Sequence, residues 1–433
     1  MASKLHLKTA LLPDGWHDNV VVGLDDGIIV SVGDAKGEPS AELVSGVTVP
    51  GLPNLHSHAF QRAMAGLTEH RGSEADSFWT WREAMYGFVE RLTPDDLEAI
   101  AAFAYMEMLE AGFTSVAEFH YLHHQPDGRP YDNPNEMSER IVGAADAVGI
   151  GLTLLPVLYR QSGFLGKPPS SAQRRFLCDR DLYSRLMETR VPGGTTGIAP
   201  HSLRAVTLDD LRWVAATWPD VPAHIHISEQ TKEVDDCLAA HGARPIDLLM
   251  DTVDVGPRWH LIHATHADAG EIARMAKARA VVGLCPITEA NLGDGLFDVP
   301  PFLAQGGQFG VGSDSNVRIS AADELRTLEY GQRLIHRRRN VLGEAVRSTG
   351  RRLFDAALLE NAIAVGQRAD FVVLDGAGLR GDSALDHWLF AADNTAVRSV
   401  HCSGVARVEG GRHKDRDRIA ARYRKVLATL EVT

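Results

Sequence analysis

"HLIHATHADAGEIARMAKARAVVGLC" occupies residues 260–285. It opens on one short apolar run, "HLIHATH", and closes on another, "AVVGLC". Between them "DAGEIARMAKARA" repeats its apolar residues at helical spacing. Strand, helix and strand in so short a length predict two parallel strands joined by a crossover helix. Similar runs recur on both sides: "NLHSH" (54–58), "TSVAEF" (114–119), "GLTLLPV" (151–157), "TGIAPHS" (196–202), "AHIHIS" (223–228) and "FGVGSD" (309–314). Helix-like stretches such as "DDLEAIAAFAYMEMLEAG" separate them. Eight such units over about 250 residues predict an α/β chain folded as a (β/α)8 TIM barrel.

The two ends have a different texture. "NVVVGLDDGIIVSVGD" holds two β-branched runs around "LDDG", a hairpin signal. "ADFVVLD" and "AVRSVHCSGVARVEGGRH", near the other terminus, read the same way. The expectation is a small β-sandwich domain built from both chain termini, residues 1–50 with 362–411. The barrel then covers 51–361, and a charged C-terminal helix covers 412–433.

Composition narrows the class. A formal net charge of −13 argues against a nucleic-acid partner. The basic clusters at 336–340 and 412–418 read as solvated helix faces. The four cysteines form no CxxC pair, which fits a reducing compartment and excludes a zinc ribbon. No apolar run is long enough to span a membrane, and the first residues lack a signal-peptide core. A cytoplasmic protein is expected.

Catalytic groups of such barrels sit at the C-terminal strand ends. Here those ends carry His56 and His58 on strand 1, Tyr121 on strand 2, and His201 and Arg204 on strand 4. His224, His226 and Glu229 follow on strand 5, His263 and His266 on strand 6, and Asp314 on strand 8. His56 and His58, two apart in a strand, share a face. With His226 and Asp314 they supply three imidazoles and one carboxylate, a set suited to zinc, with iron as the alternative. Glu229, three residues past His226, stands above that metal without binding it. His224 reads as a deeper barrel residue and His266 as a loop cap. His120, His123 and His124 of "HYLHH" are expected to face solvent or a partner.

A bound zinc lowers the pKa of its water to about 7, so metal-bound hydroxide can attack an sp² carbon. Asp314 would orient that water. Glu229 would carry its proton to a departing nitrogen, and His263 would steady the tetrahedral centre or assist the shuttle. Arg204, His201, Tyr121, Gln61 and Arg82 flank the mouth. Two guanidiniums, a phenol and an amide suit a small dicarboxylate, because the guanidinium fork grips carboxylates bidentately.

HxH on strand 1, HxxE on strand 5, His on strand 6 and Asp on strand 8 resemble the amidohydrolase superfamily. The split β domain extends that likeness over the whole chain, and "PGLPNLHSH", "GVGSDS" and "ADFVVLD" resemble phrases of its deaminase branch. Binuclear members bridge two metals with a strand-4 lysine. Strand 4 here ends "APHSLR", without lysine, so one metal is expected. "NLHSHAFQRAMAGLTEHR", "FWTWREAMY", "EFHYLHH" and "HIHISEQTKEVDDC" further resemble the formimidoylglutamate deiminase family of histidine degradation. That resemblance implies zinc on His56, His58, His226 and Asp314, with Glu229 and His263 catalytic. It implies substrate on Gln61, Arg82, Tyr121, His201 and Arg204, and N-formyl-L-glutamate plus ammonia as products. It also implies a homodimer in which Arg82 reaches a neighbouring subunit's site. The family pattern has histidine where this chain has Asn316. The rival activity is a mononuclear deaminase acting on a nucleobase or nucleoside derivative, whose neutral ring would want stacking aromatics instead of paired arginines. The rival of another class is a catalytically inactive scaffold.

Overall fold

The computed structural model describes residues 3–36, 40–69 and 78–430. His70 and Arg71, at the end of "NLHSHAFQRAMAGLTEHR", lie outside the described residues. Four strands open the chain: β1 (Ser3–Leu12), β2 (Gly15–Asp25), β3 (Ile28–Asp34) and β4 (Glu42–Pro50). The hairpin expected at "LDDG" is β2–β3. Its two loop residues, Asp26 and Gly27, have φ of 47° and 77°. Two left-handed residues give the twist that a two-residue hairpin needs, and Gly adopts that conformation without a Cβ penalty.

Nine short strands carry parallel pairings: β5 (Leu52–Ser57), β6 (Phe113–His120), β7 (Gly151–Leu158), β8 (Thr195–Thr196), β9 (Ala199–Pro200), β10 (Ala223–Ile227), β11 (Trp259–His263), β12 (Val281–Leu284) and β13 (Gln308–Val311). They form two parallel sheets, β5-β6-β7-β8 with β9 on β7, and β10-β11-β12-β13. Isolated parallel bridges link the sheets at Ile198–Ala223 and Ser202–His226, and link the last strand end to the first at Ser57–Asp314. The expected fourth strand is split into β8 and β9 at Gly197 and Ile198, where the Gly197 N–H donates to the Leu154 carbonyl and the Ile198 N–H to that of Pro222.

Residues 260–285 fold as their pattern dictates. Asp268 caps the helix Ala269–Ala278 by accepting from the N–H groups of Gly270 and Glu271, and Glu271 reaches back to the Asp268 N–H. Ile272, Met275 and Ala276, at helical spacing, are buried. The strands on either side run parallel, with His260 beside Val281.

After the parallel strands come β14 (Phe371–Leu374), β15 (Val397–Cys402), β16 (Val405–Glu409) and β17 (Arg412–His413). Their sheet runs β17-β16-β15-β14-β4-β1-β2-β3, so both ends of the chain share one eight-stranded mixed sheet. Leu7, Val22, Phe371 and Val373 are among the residues of a small apolar cluster separate from the main core. Because Arg412–His413 are paired, the last helix starts later than expected, at Arg416, and ends at Thr429. No described helix is long and apolar enough to cross a membrane.

Gly312, in "GVGSDS", lies at the seam where the last strand meets the first. A Cβ there would fall 2.7 Å from the His56 nitrogen and 2.8 Å from its carbonyl oxygen. That backbone cannot yield without moving His56. Gly312→Ala is expected to cost about 1–3 kcal/mol of stability and to weaken metal retention. Urea unfolding beside metal analysis checks both.

Candidate active site

The strand ends bring four donors together. His56 Nε2 lies 3.1 Å from His58 Nε2 and 2.9 Å from His226 Nε2, and the last two stand 3.3 Å apart. Asp314 Oδ1 is 3.6 Å from His56 Nε2 and 3.3 Å from His58 Nε2. All four residues are buried. His58 Nδ1 is 2.9 Å from the Phe119 carbonyl and His226 Nδ1 is 3.1 Å from that of His201, so in both rings Nδ1 donates its proton and leaves Nε2 as a lone pair.

Facing lone pairs at this distance repel unless a cation sits among them. Donors 2.0–2.1 Å from a tetrahedral ion stand about 3.3 Å apart, which is close to the spacing observed. The group therefore fits one divalent ion. Burial holds His56 and His226 well below the usual histidine range and His58 down to about 3, so all three are neutral ligands at pH 7. A second group, His263, Cys285 and Asp314, also brings donors within 4.8 Å, but it shares Asp314.

The backbone beside these donors is strained. Ser228, His263, Ala264, Asp314 and Asn316 have φ between 44° and 70° although none is glycine. Each costs on the order of 1–3 kcal/mol and persists only where neighbours hold it. Here the seam holds it: Asp314 N–H donates to the His56 carbonyl and His58 N–H to the Asp314 carbonyl, both at 2.9 Å. Asn316 is the staple. Its Nδ2 donates to Ser57 Oγ and to the carbonyls of His58 and Asp314, and its Oδ1 accepts from Ser313 Oγ.

Glu229 and His263 flank the donors. Glu229 Oε2 is 3.4 Å from Arg204 Nη2, and its Oε1 is 3.9 Å from His263 Nε2. His263 Nε2 is also 3.9 Å from Asp314 Oδ2. Burial disfavours the His263 imidazolium, but the carboxylates of Glu229, Glu289 and Asp314 outweigh it and push its pKa up to about 10. Burial likewise pushes the Asp314 carboxyl up to about 7, a tendency that a bound cation reverses.

Gln61, Arg82, Tyr121, His201 and Arg204 line one pocket with His58, His226, Glu229 and Asp314. Gln61 Nε2 donates to the Tyr121 hydroxyl at 2.8 Å. The Arg82 guanidinium lies over the Trp79 ring at 4.6 Å, and that of Arg204 is 5.9 Å from the Phe78 ring. Gln61 Oε1 and the Nε atoms of Arg82 and Arg204 are buried without a hydrogen-bond partner among the described residues. Such groups await a ligand. Arg82 lines the pocket of its own chain, on the helix Phe78–Val89.

Some histidines lie elsewhere. His224 is deeper, stacked on His260 with centroids 4.2 Å apart. His266 is half-buried outside the pocket lining. The expected exposure of "HYLHH" is corrected. His120, the last residue of β6, and His123 are buried, and His124 is half-buried; the segment Arg175–Leu177 packs on His123 and His124. His123 Nε2 contacts the Val157 carbonyl and His124 Nε2 that of Leu177.

Sequence reasoning missed Tyr86, Tyr159 and Phe176, all in the pocket lining. Tyr86 lies one helical turn after Arg82, and Tyr159 directly follows β7, so the strand-end rule applied to the third parallel strand would have found it. Phe176 comes from a loop with no pattern.

Comparison with known proteins bears on this arrangement. Residues 47–407 match the profile of the Amidohydrolase family. A formimidoylglutamate deiminase from Pseudomonas aeruginosa is 50% identical over 450 residues, covering 99% of each chain. Among solved structures, an amidohydrolase from Brucella melitensis superposes with a TM-score of 0.96 at 51% identity, covering 99% of this chain and 100% of that one. An adenosine deaminase from Xanthomonas campestris, with bound zinc, superposes at 0.80 with 19% identity over 99% and 98% of the two chains.

Proposed function

The chain belongs to the amidohydrolase family, and from that premise we propose that it hydrolyses the formimino group of N-formimino-L-glutamate. Water adds to the formimino carbon, the bond to the terminal nitrogen breaks, and N-formyl-L-glutamate and ammonia leave. The observation that carries this reading is the pairing of two arginines, each with a buried Nε that has no partner among the described residues, with a His₃Asp donor group beside one pocket.

His56, His58, His226 and Asp314 would hold one divalent ion, zinc by donor type, with iron as the alternative. Such an ion supplies Lewis acidity and brings the pKa of water to near 7. The remaining work falls to the chain. Glu229 takes the proton of the attacking water and returns it to the departing nitrogen, because its carboxylate lines the pocket outside the His₃Asp group, 3.4 Å from Arg204 and 3.9 Å from His263. His263 Nε2 steadies the charge that develops at the reacting carbon. Arg82 and Arg204, with Gln61, Tyr121 and His201, fix the two carboxylates.

We read the two parallel sheets, linked by three bridges, as one closed (β/α)8 barrel over 51–361. The terminal sheet and its separate apolar cluster support a β-sandwich domain of 1–50 with 362–411, followed by the C-terminal helix Arg416–Thr429. A cytoplasmic homodimer completes the reading.

The test is ammonia release on N-formimino-L-glutamate beside guanine, cytosine and adenosine. Turnover of the first supports the reading, and turnover of a base alone overturns it. Arg204→Ala is expected to raise KM about 10- to 100-fold, since a hydrogen bond to a charged group is worth roughly 1.5–3 kcal/mol, with the metal content unchanged. Steady-state kinetics with metal analysis checks it.

A further inference from the structure

Glu289 lies behind the site, in the short helix Pro286–Leu292 that follows β12. It is buried and is absent from the pocket lining. Its side chain folds back over its own first turn: Oε1 accepts from the Cys285 N–H at 2.9 Å, while the Glu289 N–H donates to the Cys285 carbonyl. The carboxylate is therefore fixed before it meets anything else. The same Oε1 lies 3.2 Å from His263 Nδ1. His263 ends β11 in a left-handed conformation, with φ 70°, and Ala264 follows at 50°. An imidazole can turn about a broad, roughly two-fold side-chain torsion, so backbone alone does not decide which ring nitrogen faces the pocket. Glu289 decides it, because the nitrogen that donates to its carboxylate turns the other one toward the pocket. Nε2 then stands 3.9 Å from both Glu229 Oε1 and Asp314 Oδ2.

Resting on the function proposed above, we propose that Glu289 is a positioning residue for this reaction: through its bond to Nδ1 it sets the plane and direction of the His263 ring, and it never touches substrate. A purely packing role would make Glu289 replaceable by an apolar group of similar size. A positioning role makes the hydrogen-bond acceptor indispensable and makes its effect run through His263 alone.

The experiment compares Glu289→Met, Glu289→Gln and His263→Gln, with Glu289→Met repeated in the His263→Gln background. Glu289→Met should lower kcat about 10- to 100-fold, the usual range for a group that orients a site residue, with KM within about twofold. Glu289→Gln should recover most of that loss, since an amide oxygen accepts the same bond. In the His263→Gln background Glu289→Met should cost nothing further. An unchanged kcat in Glu289→Met, or an equal loss in both backgrounds, overturns the proposal. Proton NMR of the protein supplies a readout free of turnover. The His263 Nδ1–H resonance, assigned by its loss in His263→Gln, should be present in the wild type and in Glu289→Gln, and absent from Glu289→Met. Its absence from the wild type overturns the proposal even if Glu289→Met fails to fold. A wild type that shows the resonance but releases no ammonia from N-formimino-L-glutamate refutes the function and leaves the positioning intact.

Discussion

His226→Ala leaves a protein that holds less than a tenth of an equivalent of transition metal and has lost more than about 10³-fold in kcat, the scale of the several kcal/mol that a Lewis-acidic ion supplies. The expectation rests on geometry. His226 Nε2 lies 2.9 Å from His56 Nε2 and 3.3 Å from His58 Nε2, so it closes the donor group from β10, in the other parallel sheet. Without it only His56, His58 and Asp314 remain. His226 is held by its Nδ1 bond to the His201 carbonyl and packs edge-on against Phe119, and the fold should survive its loss. Metal analysis, circular dichroism and an ammonia assay on one preparation check all three parts. Full metal content in this variant would remove His226 from the ligand set.

Glu229→Gln is expected to lower kcat by about 10²- to 10⁴-fold, the range for general acid–base catalysis, with the metal retained and KM little changed. Glu229 follows Ser228, whose φ of 51° turns the chain over the end of β10. It is outside the His₃Asp group, and its contacts are Arg204 at 3.4 Å and His263 at 3.9 Å. Glutamine keeps the size and an oxygen for Arg204 but cannot take a proton. Loss of metal in this variant would show that Glu229 holds the ion and is not the shuttle. A pre-steady-state measurement of ammonia release separates the chemical step from product release.

Much of this site was legible because it is written in local periodicity. His56 and His58 two apart at a strand end, and His226 three residues before Glu229, fall where strand geometry sends them. Residues 260–285 spell a strand, a capped helix and a strand within one short stretch. What escaped depends on contacts between distant segments. "HYLHH" reads as exposed until the segment Arg175–Leu177, more than fifty residues on, packs on His123 and His124. Glu289 sits in a helix with nothing to mark it, and its partner His263 is 26 residues earlier. Asn316 is structural: two of its hydrogen bonds cross the seam to Ser57 and His58, and two more hold Ser313 and Asp314 on its own side. Phe176 reaches the pocket from an irregular loop, where no spacing rule applies.

The most direct measurement is an anomalous difference map from a crystal of the purified protein, recorded above the absorption edge of the metal that elemental analysis finds. One peak, about 2.0–2.2 Å from the Nε2 atoms of His56, His58 and His226 and from an oxygen of Asp314, is the predicted result. A protein that binds no ion when supplied with zinc or iron, or an ion held by other residues, would contradict the account.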